Sequence, residues 1–422
     1  MGFACGAALG APRDTVVIAQ GVDATTLDPH NHYEMPNFNV CLNIYETLFM
    51  RDDEMKLQPL LATSSRLIND TTWEFGLRKG VKFQNGEIFN AAAVKYSLER
   101  LSDPKAKLKQ TTLQGVISKV EIVDDYTVRV YTSKPYPYLD SQLGHLGAIL
   151  PPKYAQEKGM IHLARNPVGT GPYKLVRWIK DDQLVLEAND GYWKGPPRIK
   201  KGIFRPIPEP TTRVAGLQTQ ELDLIVNIPP HLSRLMDWKG RSRVAKVPSA
   251  RIIYMALDTT KEGPTADRRV RQAIAQGIDL DTIIRTVLEG NALKQGAPVT
   301  PSHFAYDPAI KPHAYNPENA RKLLAEAGLA KGFEMVINSP NGRYLNDKEM
   351  AEAVAGSLGK VGISASVKPY EWGTYLNQIY SRKGGPAFIM GSGGATFDPD
   401  ANYFPHLKTG QIYSHYNNPK MD

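Results

Sequence analysis

FEMVINSPNGRYLNDKEMAEAVAGSLGKVGISASVK, residues 333–368, is the stretch whose reading decides the fold. Phe333–Ile337 is a short apolar run of strand length, and residues 363–368, after Gly362, form a second. Between them Met350, Val354, Leu358 and Val361 recur at three- and four-residue intervals, which predicts a helix over 348–361 with one apolar face. Strand, helix, strand within 36 residues is a βαβ unit, which favours a parallel sheet closed by a right-handed crossover. Downstream, Ala387-Phe-Ile-Met390 predicts a further strand running into Gly391-Ser392-Gly393-Gly394. Ligands in such sheets gather at the carboxyl ends of the strands, so this glycine-rich segment is the first candidate for a pocket wall.

The same alternation extends towards the N-terminus. Asp267 opens a helix that presents Val270, Ile274 and Ile278 on one side. Asn316-Pro317 provides the cap and first turn of another helix, closed by Gly328. Two strands are predicted around 173–176 and 184–187. Trp73, Phe75 and Leu77 alternate within 71–79, the period of a half-buried strand. Asn90 caps a helix over 91–101 bearing Val94, Leu98 and Leu101. Residues 120–123 and 126–132 flank Asp124-Asp125 as a hairpin. Thr15–Ala19 is a β-branched run suited to a buried strand. The chain is therefore α/β, with an α+β unit in its first third.

Composition narrows the function classes. The chain has 422 residues, 42% of them hydrophobic and 22% charged, ordinary values for a globular protein with two or three domain-sized cores. No apolar run reaches the roughly 18 residues of a membrane span. The net charge of +8 is spread out, and no block of five or more Lys/Arg marks a nucleic-acid partner. Residues 2–11 are small and apolar and have the look of a clipped secretory signal, with a cleavage site at Ala8-Leu9-Gly10 and Cys5 as an atypical acylation position. Once they are removed, Cys41 remains as a single buried, inert thiol.

Catalytic signals are weak. Gly-x-Ser-x-Gly, His-Glu-x-x-His and Walker-type loops are all lacking. Gly169-Thr170-Gly171-Pro172 is no phosphate loop, because Pro172 removes an amide donor and no Lys-Ser/Thr follows. His30 and His32 form an i, i+2 pair that would suit a metal on a strand, but no further ligands lie nearby in sequence, and an ordinary loop is the simpler account. Asp398-Pro399-Asp400 reads as a helix-capping turn more readily than as an acid pair. No cofactor is implied.

Leu61-Ala62-Thr63-Ser64-Ser65, Trp73-Glu-Phe-Gly-Leu-Arg78-Lys-Gly-Val-Lys-Phe83-Gln-Asn-Gly86 and Ala93-Val94-Lys-Tyr-Ser97-Leu-Glu-Arg100 together closely resemble the signature segment of the family 5 solute-binding proteins of ABC importers. Asn43-Ile-Tyr45-Glu-Thr47-Leu48, Gly169-Thr-Gly171-Pro-Tyr173, Gly191-Tyr192-Trp193-Lys-Gly195, Arg268–Ile274, Tyr315–Gly328 and Tyr370–Tyr375 are similar to the same family in the same order. The resemblance implies a two-lobed, type II periplasmic-binding-protein fold with an extra inserted domain. Its expected partition is a signal remnant at 1–11, a first lobe from 12–47 plus 168–250, an inserted domain at 48–167 and a second lobe at 251–422. It also implies a monomeric, non-enzymatic receptor in the periplasm, or at the cell surface if lipid-anchored. Such a receptor hands a peptide, opine or other amphiphilic solute to an inner-membrane ABC permease and its ATPases. Family members continue beyond the position of Asp422 with a segment that returns to the first lobe. Nickel-chelate binding, or an α/β hydrolase, is the alternative reading.

The resemblance also nominates site residues. In peptide binders the pocket strand leads into Gly-Trp-x-x-Asp-x-x-Asp-Pro, whose first Asp holds the peptide ammonium. Here Ser392 replaces the Trp and Ala395 the Asp, within Gly391-Ser392-Gly393-Gly394-Ala395-Thr396-Phe397-Asp398-Pro399. Losing one partner of a buried ion pair costs about 3–5 kcal/mol, roughly two to four decades of affinity. The expectation is therefore a less charged, glycine-walled cavity suited to a bulkier or neutral solute, unless Glu34 takes over the ammonium. Asn341 and Arg343 lie in the loop before helix 348–361, where Arg343 aligns near the position that engages a solute carboxylate. Trp372 is expected on the pocket wall or in the core, and Asn31 and Tyr33 on a loop facing the cleft. Tyr45, Trp73, Phe83, Tyr173 and Trp193 match family motifs but read as core.

Overall fold

The computed structural model describes residues 14–236, 242–303, 306–393 and 397–422. The expected signal remnant and Cys5 lie outside these residues, as do Gly394, Ala395 and Thr396.

Three larger sheets organise the molecule. Thr15–Gln20 runs parallel to Lys201–Pro206 on one side and to Leu224–Ile225 on the other, and Gln183–Ala188 and Tyr173–Ile179 extend this sheet antiparallel. The second sheet is wholly antiparallel, in the order Ala62–Asn69, Thr72–Leu77, Thr127–Thr132, Ile117–Asp124. Trp73, Phe75 and Leu77 are buried as their alternation predicts, and they meet Val94, Leu98 and Leu101 of the helix Ala91–Ser102 in one core. Burial of Leu98 and of Leu101 stabilises by roughly 2 kcal/mol each. The Asn90 side chain caps this helix by accepting from the N–H groups of Ala92 and Ala93.

The third sheet has the order Arg251–Leu257, Ala387–Gly393, Phe333–Pro340, Ile363–Tyr370. The last two strands pair in parallel, Ile337 opposite Val367, across the helix Asp347–Gly359, so the βαβ unit is present as its periodicity predicts. Arg251–Leu257 lies antiparallel to Ala387–Gly393, Tyr254 opposite Met390.

The first and third sheets approach closely at one place. A Cβ on Gly21 would lie 1.7 Å from the Gly342 carbonyl oxygen, so the two backbones touch there. Gly342 itself has φ +77, in the left-handed region that favours glycine. Beside this contact the Arg213 guanidinium donates to the carbonyls of Ile207, Pro208 and Asn227.

Several motifs take structural roles. Cβ atoms on Gly169 or Gly171 would strike the Ile44 backbone, so Gly169-Thr170-Gly171 is a packing seam. The buried Glu46 carboxylate accepts from Thr170 Oγ1, Tyr192 Oη and Trp193 Nε1. Tyr45, Trp73 and Phe83 are buried, as expected of core, whereas Tyr173 and Trp193 are only partly so. Asp398 Oδ1 accepts from the Asp400 N–H at the start of the helix Asp400–Leu407, the capping turn expected there. Burial pushes the Cys41 thiol far up, so it is inert.

Candidate functional site

A cavity of about 80 Å³ opens against the edge of the third sheet, at Arg251 and Met390–Gly393. Tyr33, Glu34 and Met35 border it from the start of the helix Met35–Ile44, which packs on the first sheet. Thr112, Gln142, His145 and Leu146 border it from the second unit, the elements that share a core with the second sheet, and the rest of its wall comes from residues 251–413. Its side chains are placed by local features. The Asp347 carboxylate, at the head of its helix, accepts the backbone N–H groups of Gly342, Arg343 and Tyr344 at 3.0, 2.8 and 2.9 Å. Burial nevertheless raises Asp347 to about 6, outweighing those bonds. The loop so pinned puts the Arg343 guanidinium 5.0 Å from the Trp372 ring centroid and 4.7 Å from that of Tyr344. Arg251, at the start of its strand, has its guanidinium 5.9 Å from the Tyr344 ring centroid. Burial, and then the charge of Arg343, brings Arg251 down to about 10. Neither guanidinium meets a carboxylate among the described residues.

Glu34, which also borders the cavity, is buried and accepts from Tyr380 Oη at 2.7 Å and from the Tyr33 N–H at 3.1 Å. Tyr33 Oη accepts the backbone N–H groups of Thr111 and Thr112, which ties this part of the wall to the second unit. His145 and His406 also border the cavity; burial lowers them to about 4 and about 3, which leaves both neutral at pH 7.

Three buried side-chain donors on residues that border the cavity have no hydrogen-bond partner among the described residues: Gln142 Nε2, Arg343 Nε and Trp372 Nε1. Buried polar groups are nearly always satisfied, so orphan donors gathered around one cavity mark a place for an acceptor-rich molecule.

The residues nominated from sequence fare unevenly. Tyr33, Arg343, Trp372, Gly391, Ser392 and Gly393 border the cavity. Asn31 does not, because its side chain accepts from the Lys109 N–H. Nor does Asn341, whose N–H donates to the Tyr370 carbonyl at the end of the sheet. Phe397 packs instead against His303 and under Arg51. Ala395 and Thr396 fall outside the described residues. Gly391–Gly393 is not a loop after the strand but its last three residues, paired with Arg251–Ile253. A Cβ on Gly391 would lie 2.8 Å from the Tyr344 ring, so this glycine makes room for a tyrosine rather than for a solute. Ser392 Oγ is occupied by Asn402 Oδ1.

Arg251, Arg343 and Glu34 all border the cavity, Glu34 being the residue named above as the alternative partner for an ammonium. Arg251 carries no sequence signal of its own, because its strand Arg251–Leu257 is only partly buried and shows no apolar alternation. Gln142 carried a readable signal, a polar residue on the apolar stripe Leu139, Leu143, Leu146. His30 and His32 are both buried; His30 Nε2 bonds the Ala148 carbonyl and the His32 ring packs on Phe38. Among the described residues no three His, Cys, Asp or Glu side chains are grouped to hold a metal.

Residues 56–414 match the family described as bacterial extracellular solute-binding proteins, family 5. The chain is 33% identical to the glutathione-binding protein GsiB of Escherichia coli K12 over 366 residues, covering 86% of this chain and 71% of the relative. Among solved structures it superposes on the dipeptide-binding protein of Pseudoalteromonas sp. SM9913 in complex with Met-Leu. The TM-score is 0.90 with 26% identity, over 96% of this chain and 86% of that one. The periplasmic binding protein DppA of Helicobacter pylori, in complex with the peptide STSA, gives a TM-score of 0.82 with 28% identity, over 92% of this chain and 80% of that one.

Proposed function

Because this chain belongs to the family 5 extracellular solute-binding proteins of bacteria, periplasmic receptors of ABC importers, we propose that its cavity captures a peptide-like solute by its carboxylate and ammonium ends. The observation that carries this reading is the convergence of the orphan donors of Gln142, Arg343 and Trp372 on one cavity that Glu34 also borders. Arg343, gripped by two aromatic faces, offers a carboxylate a bidentate partner. Glu34 retains lone pairs for an ammonium and so takes the role that Ala395 cannot fill. The ligands of those relatives, glutathione, Met-Leu and STSA, are of this chemical kind.

Ligand sites of this type measure about 300–1,000 Å³. A cavity of about 80 Å³ must widen for the solute, by the first and third sheets parting and closing again. Capture and release without bond-making is the whole of its chemistry, and a monomer suffices, since every group named belongs to one chain. Delivery is to an inner-membrane permease driven by ATPases. Nickel binding is not favoured, for want of a ligand group among the described residues.

Thermal unfolding tests the reading. A dipeptide such as Ala-Leu at one hundred times its dissociation constant should stabilise by about 2.7 kcal/mol, a shift of several degrees. Its C-terminal amide should give little shift, and Arg343→Gln should remove the response to the free acid. Equal shifts by acid and amide would overturn the assignment.

A further inference from the structure

The charges on the cavity wall do not balance. Arg251 and Arg343 contribute two positive charges and Glu34 one negative, and the bordering histidines are neutral at pH 7. A simple dipeptide is a zwitterion of zero net charge. It would satisfy Arg343 and Glu34 and leave the partly buried Arg251 beside a like charge, which costs free energy. The two arginines also start from separate places. Arg251 begins one strand and Arg343 follows another, with Ala387–Gly393 between them, two strand spacings or about 10 Å apart. Both guanidiniums nonetheless flank the same Tyr344 ring.

Building on the proposed peptide-like ligand, we infer that the cleft selects solutes of net charge −1, peptide-like molecules with a second carboxylate, and that Arg251 is the residue that reads it. Gly393 lies beside Arg251. A Cβ there would lie 3.2 Å from the Arg251 guanidinium, close enough that the group would have to give by a few tenths of an ångström. The aromatic face of Tyr344 then holds it in place while Arg343 takes the first carboxylate.

Calorimetric titration with Ala-Glu and Ala-Gln, which differ by one carboxylate against an amide of the same shape, separates the possibilities. The native protein should bind Ala-Glu at least ~10-fold more tightly, as a charge-assisted hydrogen bond warrants. Arg251→Gln should bring that ratio close to one, while Arg343→Gln weakens both peptides. Native-protein affinities that are equal would sink the inference and leave the peptide-like reading standing, since one carboxylate would then bridge both arginines. A preference for Ala-Glu that survives Arg251→Gln, in a variant whose melting confirms folding, would also sink it. If neither peptide binds the native protein, the inference and the reading beneath it fall together. The native ratio is decisive even should Arg251→Gln fail to fold.

Discussion

At Gly391 the absence of a side chain has a definite beneficiary. The Tyr344 ring occupies the space a Cβ would need, Ile253 closes on it from the other side, and the Gly391 N–H donates to Tyr344 Oη at 2.9 Å. Tyr344 in turn is the surface on which both arginines lie. Gly391→Ala therefore forces the ring aside, and overpacking of this kind costs about 1–3 kcal/mol. Chemical denaturation should show that loss in the unliganded protein, together with weakened binding. Full stability with impaired binding would mean that the glycine faces the solute after all. This residue also shows where reading the sequence stops. A run of glycines after a strand marks close approach, but whether backbone, ring or solute does the approaching is set by a residue 47 positions away. Arg251 is a harder case still, because a lone arginine at the head of a strand looks the same whether it faces water or a cleft.

Among the elements, those governed by local chemistry were legible. Asn90, Asp267 and Asn316 each cap the helix they were expected to cap, since a side chain accepting from an N–H two or three residues on depends on nothing distant. Asn90→Ala leaves the Ala92 and Ala93 N–H groups without that acceptor and should cost about 1 kcal/mol in urea unfolding, with Asn90→Asp restoring most of it. An unchanged midpoint for the alanine variant would show that solvent satisfies those groups equally well. Elements defined by their neighbours were not legible. Ala62–Asn69 is almost wholly exposed, so it lacks an apolar alternation, and pairing with Thr72–Leu77 makes it a strand. Lys201–Pro206 is short and bounded by charge and proline, and two flanking strands hold it. The glycines of Ala387–Gly393 disfavour a strand by propensity, yet register with Arg251–Leu257 carries the ladder through them.

For the molecule as a whole, buried histidines set the response to acid. Both nitrogens of His32 are buried with no partner among the described residues, and burial is the chief cause that lowers it to about 3, with smaller contributions from the neighbouring His145, His30 and Lys109. A histidine lowered on folding withholds a proton that the unfolded chain takes up near 6.5, so its contribution to stability is complete above that pH and is lost as pH falls. By pH 5 the loss from His32 is about 2 kcal/mol. Asp347, raised on folding, has the opposite sign and recovers stability as pH drops from about 6 towards 4. The informative measurement is thus the difference between variants: His32→Gln should flatten the decline from pH 6.5 to 5 by about 2 kcal/mol, and an identical decline would refute the assignment. The contact of Gly21 with Gly342 bears on a different matter, how such a receptor diverges. There the first and third sheets meet carbonyl to α-carbon, with no side chain between them. Replacements among the cavity side chains do not touch that meeting point, so a lineage can exchange one cargo for another while the junction of its sheets stays the same.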